Sequence, residues 1–162
     1  MLLILSSFSA LAGEVSHWGG VSSSTVGGGM VGDGAVWVNF APIGIEYRVR
    51  TDRGNGVDVI VAPAYVLPID LDINAAIFYH GGSAGPGPRF GWAVGPELSP
   101  TFYNGQRLGV GARLGLDWTG DRDRFGLGVY SRSFVGAHLY DLEQVSYGSG
   151  LEFTLAWRLG RG

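Results

Sequence analysis

The chain contains no cysteine and no lysine. Without cysteine it has no disulfide framework, no thiolate nucleophile and no Cys-ligated metal site. Without lysine, all 11 basic residues are arginine. Charge is scarce altogether, at 15% of residues with a formal net charge of −3, which gives no basic footprint for nucleic acid. Long hydrophobic runs are missing too: although 46% of residues are hydrophobic, no stretch approaches the ~18 consecutive apolar residues of a membrane helix. If this chain crosses a membrane, it crosses with strands. Glycine is in excess, with 29 among 162 residues where a share of ~7% is usual. These glycines follow no collagen period and are interleaved with Val, Leu, Phe and Trp, which is not the company of a disordered tract. The length suits one domain.

The first residues read as a secretory signal. Met1 to Phe8 is mostly apolar, and Ala10-Leu11-Ala12 supplies an A-x-A pattern before Gly13, although no Arg precedes the apolar run. The expected division is a signal peptide over 1–12 and a single domain over 13–162.

The rest of the chain carries a period of two. From Arg107 to Trp118, Leu108, Val110, Ala112, Leu114, Leu116 and Trp118 share one face, and Arg107, Gly109, Gly111, Arg113, Gly115 and Asp117 share the other. Successive strand residues point to opposite sides, so this is a strand with one apolar face and one face of glycine and charge. After the polar turn Thr119 to Asp123, Phe125, Leu127 and Val129 oppose Arg124, Gly126, Gly128, Tyr130 and Arg132. The last segment sets Leu151, Phe153, Leu155, Trp157 and Leu159 against Glu152, Thr154, Ala156 and Arg158. The same plan, with more noise, runs through Ile43–Arg50, Val57–Ala62, Asp70–Tyr79 and Phe90–Leu98. That gives seven strands from about residue 35 onward, and a weak eighth is drawn through Glu14 to Val26. Several reach the ~9–11 residues that a tilted strand needs to cross a bilayer, and glycine at every second position is costly to a helix.

Composition suggests which face is inside. A solvated strand face usually carries Lys, Glu, Thr and Ser, whereas the second face here is glycine, alanine and a few ions. Those ions balance. Glu46, Asp58, Asp70, Asp72, Glu97, Asp117 and Glu152 stand against Arg48, Arg50, Arg107, Arg113, Arg124, Arg132 and Arg158. In a narrow lumen such ions have to be paired, and the planar fork of arginine binds carboxylates two-handed. The expected lumen network is Glu46, Arg48, Asp58, Asp72, Glu97, Arg113, Asp117, Arg132, Glu152 and Arg158. Trp37, Tyr47, Tyr79, Trp92, Trp118 and Trp157 lie near strand ends or on the apolar face, as aromatic girdles at a lipid interface require.

With these features the chain resembles the small bacterial outer-membrane barrels typified by OmpX and the membrane domain of OmpA. The resemblance is architectural, resting on the signal-like start, eight amphipathic strands and a charged lumen, and it spans almost the whole chain. It implies an all-β, antiparallel, up-and-down transmembrane barrel. It implies both termini in the periplasm, and a lipid bilayer and the barrel-insertion machinery as partners. It also implies external loops at Gly27–Gly34, Val66–Ile69, Ser99–Gln106 and Phe134–Ser149. Family members usually end in an aromatic residue; here the last aromatic is Trp157. Pro42, Pro63 and Pro96 fall in or beside strands, and each removes a ladder donor.

Chemistry is sparse. His80 precedes Gly81-Gly82-Ser83, which places a nucleophile near a base, as a lipid-modifying enzyme would require. At the end of a strand the same residues are more simply a turn. His138 with Asp141 and Glu143 is read as a solvated loop rather than a cation site. The expectation is a non-enzymatic membrane barrel without metal or cofactor, acting through its external loops, with residues 134–149 as the contact segment. The alternatives are a lipid-modifying enzyme and a soluble, lipocalin-like barrel with an apolar cavity.

Overall fold

The computed structural model describes residues 14–31, 36–66, 70–82, 87–101, 105–120 and 124–161. The signal-like segment, including Ala10 and Ala12, lies outside the described residues. Eight strands form: β1 (Val15–Met30), β2 (Val36–Thr51), β3 (Gly56–Val66), β4 (Asp70–Gly82), β5 (Gly87–Thr101), β6 (Gly105–Thr119), β7 (Phe125–His138) and β8 (Asp141–Arg161). Each pairs antiparallel with the next, and β8 returns to β1, so the sheet closes into an eight-stranded barrel with no free edge. The weak first strand is therefore real, and it is what closes the ring. Both described chain ends and the turns after β2, β4 and β6 lie at one rim, here the terminal rim. The connections after β1, β3, β5 and β7 lie at the opposite rim.

Turn chemistry explains the first terminal-rim turn. Thr51 N donates to Asn55 O at 2.8 Å and Gly54 N to Thr51 O at 3.0 Å. Gly54 has a φ of 87°, a left-handed value that costs a residue without a Cβ nothing. The prolines are absorbed where the ladder is already broken. Around Pro42 the β2–β3 register jumps between Phe40 and Ile45, and β1 carries an irregularity at Ser22/Ser24 opposite. Pro96 pairs with Val110 on its β6 side, while on its β4 side the described rungs pass from Ala76↔Glu97 to Tyr79↔Val94. Pro63 keeps its place in register, opposite Ile73.

The opposite rim differs from expectation. Phe134–Ser149 is mostly strand rather than loop: Gly136 pairs with Ser146 and Ala137 with Val145, leaving Leu139 and Tyr140 as the turn. The period of two simply continues, with Phe134, Gly136, Ser146 and Gly148 buried and Val135 and Tyr147 exposed. Small and hydroxyl side chains carry no hydropathy contrast, so the alternation there does not show in the sequence. Similarly, β5 runs to Thr101 and β6 starts at Gly105, which shortens the predicted Ser99–Gln106 loop; β1, running to Met30, likewise cuts into Gly27–Gly34.

The parity predicted from the sequence holds around the wall. Ile45, Ile77, Phe90, Leu108, Leu116, Val129 and Phe153 are exposed, while Glu46, Asp58, Phe78, Arg113, Arg132 and Glu152 are buried. Apolar packing inside is limited to small patches, such as Ile60, Ala76, Phe78 and Ala93. At Gly44 an added Cβ would sit 2.7 Å from Ala62 Cβ and 2.8 Å from Ser22 Oγ. A valine there has nowhere to go. Gly44→Val is expected to cost about 1–3 kcal/mol by overpacking, seen as a lower urea midpoint of the refolded barrel.

Candidate functional site: a closed ionic lumen

Inward parity on β2, β3, β5, β6, β7 and β8 brings ionic side chains to the barrel axis from all sides. Arg113 on β6 is the hub. Its Nη1 donates to Glu152 Oε1 at 2.5 Å and to Glu46 Oε1 at 3.2 Å, and its Nη2 donates to Asp58. Arg132 on β7 reaches Glu152 Oε2 at 2.9 Å, Glu97 Oε1 at 2.8 Å and Asn74 Oδ1 at 3.1 Å. Arg48 donates to Glu46 Oε2 at 2.7 Å and to Thr154 Oγ1, and lies 3.5 Å from Asp117 Oδ1. Arg50 bonds Asp58. The aromatic rings of the interior pack against the cations: the Arg113 guanidinium carbon is 4.7 Å from the Phe78 ring centre and 5.0 Å from that of Tyr130. Tyr130 Oη donates to Asp117.

Among the described residues the more buried part of the cluster holds Glu46, Asp58, Glu97 and Glu152 against Arg48, Arg50, Arg113 and Arg132, four against four, and the partly exposed Asp117 adds a fifth carboxylate at its margin on Arg48. Charge balance in the buried part is the physical requirement here. Each buried ion costs several kcal/mol in desolvation and is tolerable only when opposite charge and hydrogen bonds compensate it. The cluster crosses the lumen from wall to wall and fills it with side chains rather than leaving a bore.

Of the ten residues expected in the network, eight behave so, with Asp117 at its margin. Asp72 pairs through its backbone with Ala64, and its side chain lies outside the described part. Arg158 is a correction: it lies beyond the cluster at the terminal rim, its guanidinium carbon 5.3 Å from the Trp18 ring centre. The strand continues past the network there, so inward parity no longer means burial. Arg124 is exposed at a turn rather than inward. Arg107 is buried near the opposite rim, donating to Gln144 O at 3.1 Å and to its Oε1 at 3.4 Å. Sequence reasoning left out Asn74, Phe78, Tyr130 and Thr154, all marked by inward parity, and the inward position of His80.

Five of the six predicted interface aromatics lie on the terminal side of the wall. Tyr47, Tyr79, Trp92, Trp118 and Trp157 all project outward toward the terminal rim. They touch one another or bridging rings: Tyr79 and Trp92 are 5.8 Å apart between centres, and Phe125 lies 6.0 Å from Trp118 and 6.2 Å from Trp157. His17 Nδ1 and Tyr47 Oη are 2.7 Å apart in the same belt. The side chain of Trp37 lies outside the described part.

His80 is buried in the lumen, with Nδ1 3.7 Å from Asp58 and Nε2 3.6 Å from Asp117. Ser83, the nucleophile its sequence context suggested, lies outside the described residues. At the opposite rim His138 Nδ1 accepts from Tyr140 N at 3.2 Å and Asp141 Oδ1 from Glu143 N at 3.3 Å, so both serve the turn. Among the described residues no cluster of three His, Asp or Glu is arranged to hold a metal ion.

No protein-family model and no curated protein matches the chain. Among solved structures it is similar to the outer membrane protein OprG from Pseudomonas aeruginosa. That likeness has a TM-score of 0.42 and 13% identity, and covers 88% of this chain and 96% of that one.

Proposed function

We propose that this chain is an outer-membrane β-barrel that spans the bilayer with its apolar wall toward lipid, and that it is a closed, non-enzymatic element rather than an open pore. The observation that carries the reading is the inversion of burial. Large aliphatic and aromatic side chains cover the outside of β2 to β8, with Val21 on the mostly small and hydroxyl outer face of β1, while Glu46, Arg48, Asp58, Glu97, Arg107, Arg113, Arg132 and Glu152 are buried inside. Monomers in water rarely expose apolar patches beyond a few hundred Å², and a continuous wall of this kind is what hydrocarbon accepts. The belt of Trp and Tyr marks the interface on the terminal side. Closure of β1 on β8 satisfies the backbone groups that lipid cannot.

Among the described residues the ionic cluster occupies the middle of the lumen, where a lipocalin-like carrier would hold an apolar cavity. Surface contacts, in this reading, belong to the tip of the β7–β8 hairpin within residues 134–149. There Tyr140, in the turn, is 92% exposed, and Leu142, in the irregular stretch between the His138↔Asp141 and Ala137↔Val145 rungs, is 76% exposed. Insertion is expected to depend on the cellular barrel-insertion machinery.

Electrophoresis of the outer-membrane fraction with and without boiling tests this proposal. The unboiled protein is expected to migrate differently from the boiled one, as a closed detergent-resistant barrel does. Recovery in the soluble periplasmic fraction with no such shift would overturn the membrane reading.

A further inference from the structure

The terminal rim of the barrel opens into a cavity of about 310 Å³. It is a dead end. Its inner wall includes Arg48, Arg50 and His80, and directly beyond them Arg50 and His80 meet Asp58, which Arg113 ties into the lumen cluster. A solute entering here reaches a floor of fixed charge and goes no further.

The lining is unbalanced. Among the described residues five arginines and one histidine face three carboxylates; Glu14 meets Arg161 at 3.1 Å and Asp117 meets Arg48 at 3.5 Å, while Arg48 and Arg50 are also engaged by Glu46 and Asp58 of the cluster. Two nitrogens at the floor are unused. Arg50 Nη2 is buried without a hydrogen bond, although the other nitrogen of the same fork bonds Asp58. His80 Nδ1 is also buried without a hydrogen bond, on a side chain only 4% exposed. A buried polar group without a partner costs about as much as its desolvation, and Arg50 Nη2 and the His80 ring both lie where the cavity meets the cluster. Arg89 and Arg158 also belong to the lining, as does Trp18, whose ring lies 5.3 Å from the Arg158 guanidinium carbon.

We infer that this vestibule is a binding site for a small soluble oxyanion, a carboxylate or phosphate, held at its floor by Arg50 Nη2 and His80. The guanidinium fork is matched to such anions, and low-dielectric walls focus the field of the arginines into the cavity. The volume suits a ligand of a few to a dozen heavy atoms, the lower end of small-molecule sites. The site opens along the barrel axis rather than through the wall, so its ligand comes from the aqueous compartment at the terminal rim. The inference goes beyond the membrane reading but uses its closed lumen, which makes the vestibule a binding site rather than a passage.

The test is a titration of the refolded full chain in dodecylmaltoside micelles, following tryptophan fluorescence. Trp18 serves as the reporter in the cavity. The probes are sodium phosphate and, separately, sodium succinate, with ionic strength held constant by sodium chloride. A saturable change is expected with at least one probe. Arg50→Gln should raise its half-saturation tenfold or more, and Arg89→Gln threefold or more. Absence of saturation with both probes, or equal half-saturation in wild type and variants, overturns the site. If Arg50→Gln fails to refold, Arg89→Gln alone decides the matter. Every sample is also run with and without boiling. A barrel that shifts on the gel but does not bind sinks the site and leaves the membrane reading standing.

Discussion

Replacing Arg113 with methionine is expected to destabilise the barrel by about 3–5 kcal/mol, the range measured when one partner of a buried ion pair is removed. Arg113 is fully buried and serves Glu46, Asp58 and Glu152 together. Methionine fills much of the volume but leaves the cluster with four carboxylates and three cations, counting Glu46, Asp58, Glu97 and Glu152 against Arg48, Arg50 and Arg132. The excess negative charge has no water to spread into. Arg113→Lys keeps the charge but gives up the fork, and an ammonium on a flexible stem cannot hold three carboxylates in the same geometry. Its loss should be smaller, about 1–3 kcal/mol, the cost of a poorly met charged hydrogen bond. Urea unfolding of the two variants in lipid vesicles reads both values. A cost below about 1 kcal/mol for methionine would put Arg113 in the class of solvated surface pairs, and the closed lumen would have to be given up.

Much of this cluster was legible in the sequence, and the reason is physical. On β6, Leu108 to Trp118 alternates so regularly that Arg113 and Asp117 can only share the glycine face. The balance of acids and arginines on that face then points to a lumen rather than a surface. What stayed hidden has equally physical causes. Phe78 shares the inward parity of Asn74 and Ala76, but its role as filler, a ring packed 4.7 Å from the Arg113 guanidinium carbon, depends on the assembled cluster. The strands at the opposite rim were hidden because Gly136, Ser146 and Gly148 carry parity without hydropathy. Arg158 misled in the other direction. Parity says which way a side chain points but not how deep along the axis it lies, and Arg158 lies past the end of the network. Partners across the axis, such as Arg132 with Asn74 or Arg48 with Thr154, depend on barrel closure and register, and no local pattern encodes those.

The glycine excess and the absence of lysine now have a common explanation. A ring of eight strands encloses little room, and the arginine cluster takes most of it. The remaining inward positions must therefore be small: at Gly111 a Cβ would meet the Phe78 ring within 2.8 Å. Where ions must be paired in so narrow a space, a planar fork that serves two or three carboxylates does more than a single ammonium. Glycine and arginine are thus two answers to one constraint, the small cross-section of the lumen.

The outer wall gives the second large effect. Leu114 sits four residues along β6 from Trp118, about 13 Å along the strand at ~3.3 Å per residue, on the inner edge of the aromatic belt toward the middle of the wall. It projects outward between Trp92 of β5 and Ser131 of β7. Leu114→Arg is expected to destabilise the barrel in vesicles by about 2–4 kcal/mol, the cost of a cation near the bilayer midplane. Tyr140→Arg, at the exposed hairpin tip, is expected to stay within about 0.5 kcal/mol, as ordinary surface changes do. In water the two would behave alike, since both side chains are exposed. The contrast therefore separates lipid from solvent without any appeal to the lumen. Urea midpoints in vesicles measure it. If Leu114→Arg is as harmless as Tyr140→Arg, the wall does not face hydrocarbon. Its apolar residues would then have to be covered by protein, and the ionic interior alone could not place this barrel in a membrane.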